Sequence, residues 1–92
     1  MEDPEFRAEF ERMERAIARV DAIMRTIDAL RQEANLSKAE LARAIGKDPA
    51  SVRRLLTGEA NPTMATVMSL LDALGADIEI RKRPDHDDRL SA

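Results

Sequence analysis

The chain has no cysteine, tryptophan or tyrosine, and only two phenylalanines, three glycines and one histidine in 92 residues. Without cysteine there is neither a disulfide nor a thiolate metal site, which fits a reducing compartment. No apolar run approaches the roughly 18 residues that cross a bilayer. The opening MEDPEFRAEF is acidic rather than signal-like, so the sequence predicts a soluble, cytoplasmic protein. Catalytic equipment is also missing. The single histidine, His86, falls in a polar segment, and there is no glycine-rich phosphate loop. All three glycines fall at expected helix ends, and the carboxylates are spaced as surface helix charges. Asp85, Asp87 and Asp88 beside His86 read as solvated residues, since a metal site needs preorganised ligands and a supporting shell. The expectation is a non-enzymatic protein with no cofactor and no metal.

What is present is aliphatic, alanine-rich and strongly helix-forming. Ninety-two residues suffice for one domain of modest core, burying roughly 60–65% of its unfolded surface. Net charge is −3, which argues against nucleic acid until its distribution is read. Residues 1–34 carry nine acids and six bases, and residues 64–92 carry six acids and four bases. Between them, Lys38, Arg43, Lys47, Arg53 and Arg54 outnumber Glu40, Asp48 and Glu59. Charge near a phosphate backbone matters more than the total, so this middle segment is where a nucleic acid would be met.

The same segment, LSKAELARAIGKDPASVRRLLTG from Leu36 to Gly58, reads as two short helices joined by a tight turn. Leu41, Ala42 and Ile45 form the inner stripe of the first, Val52 and Leu55 that of the second, and Ala42 is small where the helices cross closely. Gly46 supplies the left-handed residue that ends the first helix. Asp48 caps the second and Pro49 fits its first turn. Ser37 with Glu40 makes a capping box at the start of the first, over 38–45. The second covers 49–56 and ends at Gly58. Thr63 caps a further helix over 64–74, with Val67, Leu70, Leu71 and Leu74 inward and Gly75 as its stop.

Before this core, Phe6, Phe10, Met13, Ile17, Val20, Met24 and Ile27 alternate spacings of four and three. That is a 3.5-residue repeat over three heptads, with no Gly or Pro from Glu5 to Asn35. Asp3 caps the pattern, Pro4 takes its first turn and Asn35 ends it. One helix over 4–34 would run about 46 Å, too long for a small domain to cover. Part of it must bend back or pack on another chain. After the core, Asp77 to Arg83 alternates charged and apolar residues and predicts one short strand, 77–84, with an irregular extended segment as the alternative. Its unpaired amides would need a neighbour. Residues 85–92 read as a disordered tail. The expected fold is therefore all-α, a compact helix-turn-helix bundle with a long N-terminal helix over 1–34, a core over 35–76 and one C-terminal strand.

This pair of helices suits the DNA major groove, with the later one entering. Pro49, Ala50, Ser51 and Arg54 then face base edges. Arg54, able to take guanine O6 and N7 together, is the main reader. Pro49 and Ala50 offer only apolar contact, so DNA shape must contribute. Ser37, Lys38, Lys47, Arg53, Thr57, Asn61 and Thr63 are placed for phosphates. Phe6, Phe10, Met13 and Ile17, with Ile78 and Ile80, are candidates for a partner or dimer surface, unless the long helix folds back on its own domain.

LSKAELARAIG, SVRRLLTG and NPTMATVMSLLDALG, over about residues 27–75, resemble the phage-repressor-like (XRE, Cro/C1-type) helix-turn-helix proteins. DPEFRAEFE and ALGADIEIR extend the resemblance toward HigA-type antitoxins of type II toxin–antitoxin modules. The sequence departs from that pattern at Lys38, where Gln is usual, at Lys47 and Leu56, where an apolar residue and Glu are usual, and at Pro49 and Ala50, where polar readers are common. The resemblance implies a phage-repressor type of fold in a homodimeric repressor of operator DNA in the bacterial nucleoid, which also silences a small toxin protein. The alternatives are a plain regulator without a toxin and an interaction module whose helix-turn-helix no longer binds DNA.

Overall fold

Each helix begins on a side-chain oxygen that accepts an otherwise unpaired amide, and ends on a residue turned into the left-handed region. In a computed structural model describing residues 3–84, the helices are α1 (Pro4–Glu33), α2 (Lys38–Ala44), α3 (Pro49–Leu56) and α4 (Met64–Ala73). The caps are Asp3, Ser37, Asp48 and Thr63, as the sequence predicts. Ser37 and Glu40 close the full capping box, with the Glu40 amide donating to Ser37 Oγ at 3.0 Å and the Ser37 amide to Glu40 Oε1 at 2.8 Å. At the other ends stand Asn35, Gly46, Gly58 and Gly75, all at positive φ. At the α2–α3 turn the Gly46 amide donates to the Arg43 carbonyl and the Lys47 amide to that of Ala42. This paired return closes α2 without any side chain. Three expected helix ends, at 34, 45 and 74, move in by one residue. Ala34, Ile45 and Leu74 have ψ within 5° of zero and turn the chain toward the left-handed residue that follows.

The core takes the inward residues read from the sequence and adds Leu56, which the spacing did not mark as inward. Leu41, Ala42, Val52, Leu55, Leu56, Val67, Leu70 and Leu71 from α2, α3 and α4 close on Met24 and Ile27 of α1, with Val20, Ile45 and Leu74 partly buried around them. The α1–α2 corner is fastened by Arg31. Its Nε donates to Asp28 Oδ1 at 2.8 Å and its Nη1 to the Leu36 carbonyl at 2.7 Å.

One open alternative closes and one expectation changes. First, α1 does not bend back: it is one unbroken helix of 30 residues, and the longest dimension of the molecule, 46 Å, matches its length. Its apolar stripe is divided. Val20, Met24 and Ile27 enter the core, whereas Phe6, Phe10, Met13 and Ile17 remain 60%, 56%, 62% and 44% exposed. Second, the strand expected over 77–84 is not formed; residues 76–83 carry no regular structure. A strand exists only through a ladder, and the described chain offers no second strand to pair with. Ile78 instead lines a cavity of about 290 Å³ with Ala22, Ile23, Ile27 and Leu30 of α1, and Ile80 is 94% exposed. The tail expected to be disordered, 85–92, lies outside the described residues.

Two predictions follow from the corners and caps. Gly46 has φ +69 and open space around the place a Cβ would take. Gly46→Ala should therefore cost about 1–2 kcal/mol by chemical unfolding, from conformation alone. Gly46→Asn should cost less. The Arg31 hydrogen bond holds the Asp28 carboxyl below its ordinary value, and the Ser37 amide does the same for Glu40. Both carboxylates are ionised more readily folded than unfolded, so their contribution is complete above the unfolded values and is lost as pH falls through the folded ones. Thermal unfolding should show stability falling from about pH 4 downward, with a flatter profile in Asp28→Asn.

Candidate nucleic-acid interface

Helix α3 turns Val52, Leu55 and Leu56 inward and leaves its other side to solvent. On that side Pro49, Arg53, Arg54 and Thr57 are exposed, and Ala50 and Ser51 are half-buried. Three side chains form a relay along it. Asp48 Oδ2 accepts from the Ser51 amide at 3.1 Å and from the Ser51 hydroxyl at 3.4 Å, while Arg54 Nη2 donates to Ser51 Oγ at 3.3 Å. The two side-chain bonds are long, so a better acceptor can replace them at little cost. Arg54 is exposed and is bonded within the chain through Nη2.

The chain after α3 returns beside this face. Lys47, Ser51 and Arg54 meet Asn61, Pro62 and Thr63 around an open groove of about 230 Å³, floored by Leu55, Ala60 and Thr66. Five of the residues chosen from sequence therefore share one concavity with cations on one wall. Pro62 and Thr66 were not foreseen. Their signal was the Asn-Pro-Thr turn entering α4, where Thr63 Oγ1 donates to Thr66 Oγ1 at 2.9 Å and accepts the Thr66 amide at 3.1 Å. That network consumes the Thr63 hydroxyl and leaves the first amides of α4 as the donors at this end.

The remaining candidates lie outside the groove. Arg53 is exposed on α3. Thr57 donates its hydroxyl to the Arg53 carbonyl at 2.9 Å, so it has no proton to spare for a phosphate. Ser37 is exposed with its oxygen engaged by the Glu40 amide. Lys38 is half-buried, and its charge helps depress Asp28, so it faces the α1 corner as well as solvent. Phe6, Phe10, Met13 and Ile17 stand away from this face on the first half of α1, and Ile78 and Ile80 lie on the C-terminal segment.

Among the described residues no helix is long and apolar enough to cross a membrane. The model of the helix-turn-helix family matches residues 27–80, from the point where α1 enters the core to the segment after α4. No curated protein and no solved structure matches the chain. The geometry yields one prediction. Ser51→Ala removes the tether between Asp48 and Arg54 without touching the core, and should leave stability within about 0.5 kcal/mol.

Proposed function

The chain belongs to the helix-turn-helix family of DNA-binding transcriptional regulators, and on that premise we propose that it is a sequence-specific repressor that binds duplex operator DNA as a homodimer in the cytoplasm. The observation that supports this most is the groove joining Lys47, Ser51 and Arg54 to Asn61 and Thr63 beside a solvent-facing α3. Arg54 reads a guanine edge, with Ser51 beside it and Pro49 and Ala50 giving apolar contact. Lys47, Arg53, Asn61 and the first amides of α4 hold phosphates on either side. Lys38, Ser37, Thr57 and Thr63 contribute more weakly, because their charge or hydroxyl is already engaged within the chain. Few base-reading donors remain, so duplex shape carries part of the specificity.

The narrower reading is an antitoxin. Its support is the resemblance of both ends of the chain to HigA-type antitoxins, together with apolar surfaces a solitary repressor domain does not need. Ile80 and Ile78 on segment 76–83 are the residues offered to a toxin. The product of an adjacent reading frame should then co-purify with this chain, whereas a plain regulator would emerge alone.

DNA binding is tested by titration over a salt series. Affinity for duplex should fall steeply as salt rises. Arg54→Ala should cost about 1–3 kcal/mol and relax preference at one base pair. Lys47→Ala should weaken all sequences alike and reduce the salt slope by about one. Binding insensitive to salt and to both substitutions would leave α3 outside the groove.

A further inference from the structure

The apolar stripe of α1 runs unbroken from Phe6 to Ile27, yet only its last three members are covered by the chain's own α2–α4. The first four, on an overhang of about 24 Å over residues 4–19, lie on the same helix face as Val20, Met24 and Ile27. We propose that this overhang packs against that of a second copy running antiparallel, in the register that sets Phe6 against the partner's Ile17 and Phe10 against the partner's Met13. The proposal takes up the dimer of the preceding reading and assigns its surface, orientation and register.

The covered half of the stripe decides the orientation. In a parallel, in-register pair, Val20, Met24 and Ile27 of both helices would face one another, but each copy already has its own body packed there. Two bodies cannot occupy that space. Antiparallel helices avoid the conflict, because each overhang runs alongside the other and ends where the opposite body begins. In the proposed register Asp3 comes level with the partner's Val20, the first residue packed against the core. A slip of one heptad inward would drive Phe6 into the body at the partner's Met24. The opposite slip would leave Met13 and Ile17 uncovered.

The flanking charges agree. Beside the seam stand Arg7 and Glu14 on one flank and Glu9 and Ala16 on the other. Antiparallel pairing brings Arg7 next to the partner's Glu14, twice by symmetry, and Glu9 next to the partner's Ala16. Parallel pairing brings Glu9 next to the partner's Glu14, a like-charge contact made twice. Two copies of this chain pair Arg7 with Glu14 twice over, which is the ground for a second copy as the occupant.

The test uses the full chain and its lack of cysteine. Phe6→Cys and Ile17→Cys are purified separately, then oxidised alone and mixed. The antiparallel register places residue 6 opposite residue 17 but leaves like residues about 16 Å apart, beyond disulfide reach. The mixture should therefore cross-link about tenfold faster than either variant alone. Mass measurement supplies an independent arm. The unaltered chain should have twice the mass of 10.3 kDa, and Phe10→Glu, at an exposed position, should be monomeric with α2–α4 still folded. A monomeric unaltered chain, a Phe10→Glu dimer, equal cross-linking of the single variants, or an overhang covered only by the adjacent gene product would each overturn the proposal. DNA titration of the same samples separates the two readings: a dimer with this register that ignores DNA would end the operator reading alone.

Discussion

The packing of α2 against α3 governs everything else in this molecule. Ala42 and Val52 are both without solvent exposure, and Leu41 is sealed beside them. Ala42 contributes only a methyl group to this contact. The turn between the helices must be short to hold this packing, and Gly46 makes it short by taking the left-handed conformation that ends α2 within two hydrogen bonds. Because Val52, Leu55 and Leu56 are committed inward, Arg53 and Arg54 have nowhere to go but out. The cationic face of α3 is thus a by-product of core packing, which is why a domain of net negative charge can still present cations to a phosphate backbone.

The second organising constraint is the reach of the core. Three members of the α1 stripe saturate what α2–α4 can cover, and four remain exposed on a helix that is otherwise continuous. A helix of 30 residues with its outer half unsupported would be marginal through propensity alone. Asn35 at its stop, and the fastening of Arg31 to Asp28 and Leu36, steady the inner end, while Asp3 caps the outer one. The outer end has only its own residues until something covers Phe6, Phe10, Met13 and Ile17.

The caps, stops and inward residues were legible in the sequence because each depends on neighbours within four positions. Ser37 with Glu40, Asp48 before Pro49, and the left-handed Asn35 are local chemistry, and all appear as read. Where the reading failed, distant contacts decided. The alternation at Ile78 and Ile80 is a true strand pattern, but a strand needs a ladder, and alternation cannot reveal whether one exists. Ile78 found apolar company on α1 instead. Likewise the candidate interface was legible as residue types and not as an arrangement. Nothing in the spacing tells that Asn61 and Thr63 come round to face Lys47 and Arg54, or that the hydroxyls of Thr57 and Thr63 are already engaged.

The proposed DNA surface is the outward side of α3 together with the loop entering α4. Backbone amide shifts followed by nuclear magnetic resonance during titration with duplex test it residue by residue. The largest changes should fall from Lys47 to Arg54 and from Asn61 to Ala65, with the first half of α1 unmoved. Changes concentrated on residues 6–17, or none at all, would contradict this assignment.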